Sequence, residues 1–246
     1  MNDLLMNIHR FYAQDFSGVY GEARLLRLEN GAVKAEQLWD HFDIRTPVAV
    51  STVSFDAISD GLVCVRAEFQ SRRGWEKELI GAVHTGGRWQ IVCVMQGCES
   101  SRFACPYHGE FSAQTDNRSA IEELLFQYCH DVYIMDAEDC LSVFWDGARM
   151  YHPDSGGSTL VDVEIQILRQ RWANMPDPAE EGISEFSRVC YIELLNDNMA
   201  AARIACAKLD NYFNDFLWLM KLDGKWRIVN KMTQCLYTGR VSDIRS

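Results

Sequence analysis

The chain has no run of basic residues. Its 24 lysines and arginines are outnumbered by 35 aspartates and glutamates, giving a net charge of −11 at pH 7. Such a surface repels a phosphate backbone or an anionic bilayer, which excludes nucleic acid and membrane from the expected partners. No apolar stretch approaches the roughly eighteen residues of a membrane span. The segment Met1-Asn2-Asp3-Leu4-Leu5 lacks both the positive n-region and the apolar core of a signal peptide. The nine cysteines contain no Cys-x-x-Cys pair, which argues against a disulfide framework. Most of them, such as Cys64, Cys190 and Cys206, sit in apolar strand-like runs, as buried free thiols of a cytoplasmic protein do. There is no zinc-like spacing, no Gly-rich phosphate loop after a strand and no Gly-x-Ser-x-Gly elbow, so no metal and no cofactor are expected. Cys105-Pro106-Tyr107-His108-Gly109 has the form of half a Rieske site, but the Cys-x-His pair that would complete it is missing.

What is present is a repeat. Gly87-Arg88-Trp89-Gln90-Ile91-Val92-Cys93-Val94-Met95-Gln96-Gly97-Cys98 returns as Gly224-Lys225-Trp226-Arg227-Ile228-Val229-Asn230-Lys231-Met232-Thr233-Gln234-Cys235, at a shift of 137 residues (224 − 87). The shift holds without a gap back to Val50 and Ser187, and it matches Asp60 to Asp197 and Arg66 to Arg203. A repeat of this length is a domain duplication, and each half has an ordinary domain size. The expected division is a first domain over residues 1–98, a polar, turn-rich linker over 99–118 and a second domain over 119–240.

In the second copy, Ile121, Leu124, Leu125, Tyr128 and Val132 recur at helical spacing, with Ser119 and Glu122 placed as a capping box. Asp136–Phe144 reads as a short helix capped by Asp136 and Asp139, Ala148–His152 as a short strand, and Asp162–Ala173 as a third helix. Four strands follow, Ser187–Leu195, Met199–Leu209, Tyr212–Leu222 and Lys225–Cys235, the last two joined by Asp223-Gly224, a tight hairpin signal. The first copy repeats these strands as Val50–Ile58, Leu62–Phe69, Trp75–His84 and Arg88–Cys98, with Gly86-Gly87 at the last turn. Its helical half is shorter. Leu4, Leu5, Ile8, Phe11 and Tyr12 suggest one helix there, and Ala35–Phe42 another after an Asn30-Gly31 turn.

Helices followed by an antiparallel meander make an α+β fold, here two tandem cone-shaped domains, each with N-terminal helices packed on a curved antiparallel sheet. In the last hairpin Trp226, Ile228 and Met232 alternate with Val229 and Cys235, and Phe216, Trp218 and Met220 alternate with Leu217 and Leu219. Both faces are therefore apolar, whereas a sheet with one solvated face shows polar residues on it. Association through the second face is expected, as an internal pseudo-dimer of the two copies or as a homo-oligomer. A strongly curved sheet covered by a loop is the alternative.

These residues resemble a known family. The second copy is similar to the nuclear transport factor 2-like superfamily, and within it to the SnoaL-like and lumazine-binding-like members. The resemblance runs from Ile121 to Cys235. It rests on the helix pair, on Phe144 and His152-Pro153-Asp154, and above all on Asp215-Phe216-Leu217-Trp218-Leu219-Met220 with Lys225-Trp226-Arg227-Ile228-Val229-Asn230-Lys231. The family pattern has Phe-His-Pro-Asp contiguous; here an insertion separates Phe144 from His152. The first copy matches through its strands and lacks the His-Pro-Asp element. The resemblance implies a sheet wrapped around one long helix, an apolar funnel at its open end and dimers through the sheet. It also implies a mixed set of functions, from isomerases, dehydratases and cyclases to modules that only bind ligands.

His152 is the candidate catalytic group: a histidine at a strand end, stopped by proline, can point into the funnel and move a proton near neutral pH. Its alternative is a structural histidine bonded to nearby backbone. Arg203, flanked on its face by Ala201, Ala205 and Ala207, can grip an anionic or carbonyl ligand or can form an ion pair with Glu193 or Asp215. Asn230 falls on the Trp226, Ile228, Met232 face, where it needs a partner; Cys93 replaces it in the first copy. Trp172 and Tyr191 are candidate aromatic walls, or plain core. His130 falls opposite Ile121 on the helical wheel, exposed or at an interface.

The expected function is a small-molecule-binding or assembly module, its ligand small and apolar or aromatic. The alternative is a cofactor-free acid–base enzyme, an isomerase, dehydratase or cyclase, with His152 as acid or base and Arg203 or Asn230 steadying negative charge on oxygen.

Overall fold

The structure, a computed structural model, describes residues 19–38, 49–58, 61–71, 74–98, 111–173, 175, 176, 178, 185–209 and 211–238. The chain divides into two compact units, Met1–Cys105 with Tyr151–Val161, and Pro106–Met150 with Asp162–Ser246.

The first unit carries β1 (Val19–Glu29), β2 (Ala32–Gln37), β3 (Ala49–Ile58), β4 (Leu62–Ser71), β5 (Gly74–Thr85) and β6 (Arg88–Cys98). They form one six-stranded sheet in the order β2-β1-β6-β5-β4-β3. The sheet is mixed, because β1 runs parallel to β6 while its other pairs are antiparallel. The start of the helix expected over Ala35–Phe42 is corrected here: Ala32–Gln37 is a strand paired antiparallel to β1 across the Asn30-Gly31 turn, and residues 39–42 lie outside the described residues. Its alternation of Val33, Ala35 and Gln37 with charged Lys34 and Glu36 fits an edge strand, and Arg27, Lys34 and Glu36 tie the pair by ion pairs. The helix expected over residues 4–12 lies outside the described residues.

The remaining described elements are α1 (Phe111–Ile134), α2 (Ala137–Ser142), β7 (Phe144–Pro153), β8 (Leu160–Glu164), α3 (Ile167–Trp172) and β9 to β12 (Ser187–Asn196, Met199–Lys208, Asn211–Leu222, Lys225–Thr238). Strands β7 to β12 form a sheet in the order β8-β7-β12-β11-β10-β9. Adding six to each label of the first sheet reproduces this order, so the duplication seen in sequence is a duplication of topology.

The helix α1 buries Ile121, Leu124, Leu125, Tyr128, Cys129 and Val132, the expected face. It begins well before Ser119, and the expected capping box there is corrected. Asn117 and Arg118 reach the sheet instead: the Asn117 amide donates to the Asp197 carbonyl at 3.4 Å and accepts from Lys221 Nζ at 2.9 Å, and Arg118 donates to the Ile192 carbonyl at 3.2 Å. Those tertiary bonds stabilise a helical turn that carries no apolar periodicity. Asp136 caps α2 as expected, accepting from the Asp139 N–H at 3.0 Å. The third expected helix is shorter than expected. Leu160–Glu164 is a strand, its valines 161 and 163 suited to a pleated surface, and the helix starts only at Ile167.

Both hairpin turns that close β5–β6 and β11–β12 place two consecutive residues at positive φ. These are Gly86 and Gly87 at 56° and 77°, and Asp223 and Gly224 at 48° and 78°. That is the requirement of a two-residue turn matched to strand twist. The core of the second unit packs α1, α2 and α3 against Ala200, Ala202, Ile204, Cys206, Leu217, Leu219, Trp226 and Ile228. The equivalent strand positions of the first unit, Val63, Val65, Ile80, Ala82, Trp89 and Ile91, form its core with Leu25, Leu38 and Val94.

Candidate functional site

The site is created by one extra residue. Strand β12 pairs with β11 as Leu219↔Ile228 and then Trp218↔Asn230, so Val229 has no partner across the ladder and forms a β-bulge. A bulge reverses the side-chain alternation beyond it. Trp226 and Ile228 face the helices, but so do Lys231 and Thr233, which oppose Leu217 and Asp215. Asn230 and Met232 fall on the other face with Trp218 and Phe216. The expected stripe of Trp226, Ile228, Asn230 and Met232 is corrected on this ground.

Three polar side chains thus enter the helix side of an apolar sheet, where α1 supplies a fourth. Asp215 is fully buried. Its Oδ2 accepts from Lys231 Nζ at 2.7 Å and from the Tyr128 hydroxyl at 2.9 Å, and its Oδ1 accepts from Thr233 Oγ1. Lys231 Nζ also donates to the Tyr128 oxygen and stands 5.2 Å from the centre of its ring. Burying a carboxylate and an ammonium is tolerable only when they are paired and their remaining bonds are made, and here they are. The Lys231 side chain is 11% exposed and that of Asp215 is fully buried.

The electrostatics follow from this packing. Burial and then the Asp215 charge hold the Tyr128 hydroxyl well above its usual range, so it stays protonated. For Lys231, burial favours the neutral amine, but Asp215 outweighs it and the ammonium is held more tightly than usual. Burial, with Asp215 adding to it, pushes the Cys129 thiol up to about 12; burial pushes Cys140 to about 12 and Cys206 well up. None of these thiols is a nucleophile at neutral pH. Strand β10 sends Lys208 to the same side as Ala202, Ile204 and Cys206. Its Nζ lies 5.0 Å from the Trp172 ring centre, and burial, then the Lys231 charge, lowers its pKa to about 8.

The expected site residues are dispersed. Trp172 is buried in the second unit's core, beside Lys208. Arg203 and Tyr191 pair with each other across β9–β10 on the face away from the helices; Arg203 Nε donates to Asn214 Oδ1 at 3.4 Å and lies 6.0 Å from the Phe216 ring. Asp215 and Arg203 are on opposite faces, so the expected option of an ion pair between them is corrected. Asn230 is buried on the Arg203 face. His152 closes β7 with Nδ1 2.8 Å from the Pro153 carbonyl, and it groups with the first unit, not with Asp215. Asp154 closes its own loop: it accepts from Ser158 N–H at 2.7 Å and from the Thr159 hydroxyl at 2.8 Å, which hold its carboxyl below the usual range. His130 is exposed, 3.3 Å from Glu185. Sequence reasoning missed Lys231, Thr233, Tyr128 and Lys208 as polar partners. The available signal was a lone lysine in Ile228-Val229-Asn230-Lys231-Met232 facing a lone aspartate in Asp215-Phe216-Leu217-Trp218.

Residues 116–234 match the family model described as "Putative lumazine-binding". The second unit has the nuclear transport factor 2-like fold. Among solved structures, a nuclear transport factor 2-like protein of unknown function from Shewanella baltica OS155 is 25% identical, with a TM-score of 0.44, over 49% of this chain and 94% of its own. One from Methylobacillus flagellatus KT is 24% identical, TM-score 0.42, over 49% and 92%. A ketosteroid isomerase-like protein from Erwinia carotovora atroseptica SCRI1043 is 12% identical, TM-score 0.37, over 53% and 98%. Each is therefore spanned almost whole by about half of this chain. No curated protein matches.

Proposed function

We propose that the nuclear transport factor 2-like domain of the second unit binds a small molecule on the helix side of its sheet, next to the Asp215–Lys231–Tyr128–Thr233 cluster. One observation carries this reading: a buried ion pair, Asp215 with Lys231, joined by the Tyr128 and Thr233 hydroxyls within an otherwise apolar core. Small-ligand sites have this make-up, apolar walls with a few placed polar groups. The lumazine-binding family match is consistent with it. Binding is favoured over catalysis because Tyr128, Lys231 and the three thiols all hold their protons more tightly than usual, whereas an acid–base catalyst works near its own pKa. The second reading, a cofactor-free isomerase, dehydratase or cyclase, is favoured by Lys208 alone, whose amine titrates at about 8.

Phe216, Trp218, Met220 and Met232 are at most 1% exposed, though none belongs to the core that packs against the helices. We infer association through this apolar second face, as a pseudo-dimer of the two copies or as a homo-oligomer. Among the described residues, free thiols at Cys129, Cys140, Cys190 and Cys206 support a reducing, cytoplasmic setting.

The test is a saturation-transfer NMR screen of the full chain with small neutral aromatics. Hits that shift the Trp172 indole resonance and weaken in Lys231→Met are the expected result. A screen without hits, or hits that leave Trp172 unmoved, would overturn the binding reading.

A further inference from the structure

Strand β7 ends at Pro153, and residues 154–159 form a closed loop before β8. Asp154 ties this loop together. Its N–H donates to the Thr159 carbonyl at 2.9 Å and its carbonyl accepts from the Gly157 N–H at 3.0 Å. Its carboxyl accepts from the Ser158 N–H at 2.7 Å and from the Thr159 hydroxyl at 2.8 Å. The loop belongs to the second copy in sequence but to the first unit in space, with Tyr151–Val161 as a whole. It meets the β5–β6 turn of that same unit, where the Gly86 N–H donates to the Gly157 carbonyl at 3.1 Å. The N–H of the first turn residue has no ladder partner in a two-residue hairpin, so this bond satisfies a group that the turn leaves over. A Cβ at Gly86 would come 3.1 Å from the Ser158 carbonyl oxygen, whereas a Cβ at Gly87 would meet nothing within 4 Å. Left-handed backbone is not by itself the reason for glycine at 86. Asp223 holds the equivalent position of the second copy (223 − 137 = 86) at φ 48°, against 56° for Gly86. The second turn carries a side chain there, and the first must omit it because a loop lies against it.

We propose that the 154–159 loop is a clasp, lent by the second copy's chain to the first unit, and that the β5–β6 hairpin of the first unit draws stability from it. Recognition is by backbone alone: one N–H, one close carbonyl and no Cβ in the way. Such a seat selects a loop of fixed shape and not a particular side chain. Asp154 fixes that shape and is a positioning residue, acting through the backbone it holds. The His152-Pro153-Asp154 element, absent from the first copy, thereby serves docking: His152 bonds the Pro153 carbonyl, and Asp154 closes the loop that Gly86 receives. Residues 1–98 therefore do not carry everything the first sheet uses, although the sequence repeat divides the chain there.

Amide hydrogen exchange on the isotope-labelled full chain tests the clasp before any variant is made. The Gly86 amide is expected to exchange about tenfold more slowly than its counterpart Asp223, each corrected for its intrinsic rate. Equal rates overturn the clasp. Asp154→Ala is expected to bring Gly86 to the Asp223 rate and to lower the melting temperature by about 2–4 °C. Gly86→Asn, a residue that tolerates left-handed backbone but adds a Cβ against Ser158, should cost as much, and Gly87→Asn much less. The double variant Asp154→Ala/Gly86→Asn should lose no more than the larger single loss, because a loop can be unseated only once. Losses that add, a Gly86 amide that stays protected in Asp154→Ala, or equal losses from Gly86→Asn and Gly87→Asn each overturn the clasp.

Discussion

The two sheets share strand order, hairpin turns and even the bulge, which falls at Val92 in one and at Val229 in the other. They differ in what the bulge delivers to the helix side. In the second unit it delivers Lys231, opposite Leu217 and one pair from Asp215. In the first it delivers Val94, opposite Ile80, and Val94 packs into an apolar core. The acid persists, as buried Glu78 in place of Asp215, while the base has gone. Ser71 stands in sequence where the second copy has Lys208. A duplicated backbone can therefore keep its geometry while only one copy keeps the charged equipment. The bulge belongs to the fold, and the ion pair belongs to the site.

That contrast can be broken most forcefully at Asp215. Asp215→Ala leaves the Lys231 ammonium buried without its counter-ion, and we expect about 3–5 kcal/mol of stability to be lost in urea denaturation. Adding Lys231→Val, the residue the first copy uses, should restore most of it; a double variant as unstable as the single one would show that the pair is not what the second core depends on. Tyr128→Phe is expected to cost about 1–2 kcal/mol, since one hydroxyl both donates to Asp215 and accepts from Lys231. No measurable change in that variant would mean that the hydroxyl is idle.

The lysines sharpen the comparison through pH. Lys231 has a raised proton affinity in the fold, so its contribution is complete below its ordinary value of 10.5 and is lost as pH rises through its higher folded value. Lys208 has the opposite sign. Its folded pKa of about 8 lies below 10.5, so its charge opposes folding below about pH 8, and that penalty fades as pH rises toward 10.5. Lys208→Met should therefore stabilise the chain at pH 7 by about 1 kcal/mol, discounted for partial exposure, and give no gain above pH 10.5. A gain that is flat with pH would point to packing, not charge. The smallest expected effect is at the α2 cap: Asp136→Ala should lower thermal stability by about 1 kcal/mol, and an unchanged melting temperature would remove Asp136 from the account.

Much of the fold could be read locally. The apolar face of α1, the Asp136 cap, the strand spans after residue 187 and their counterparts before residue 98 follow from spacing and turn chemistry. Local reading failed where pairing decided. Ala32–Gln37 and Leu160–Glu164 are short edge strands beside β1 and β7, and each gains its strand character from a neighbour. The candidate site was less legible than the fold. Trp172 falls beside Lys208 in the helix-side core, but Arg203, Tyr191 and Asn230 lie on the other face of the sheet, and His152 bonds to its own backbone neighbour.

By itself, then, the sequence determined that one domain plan occurs twice, where most of its strands and turns lie, and that one copy alone holds Lys231 and Lys208. Only the tertiary structure decided which side of the sheet each residue serves. The reason is physical. The alternation along a strand is local, but its phase is set by hydrogen bonds to the neighbouring strand, and a single unpaired residue, Val229, reverses that phase without altering the apolar pattern around it.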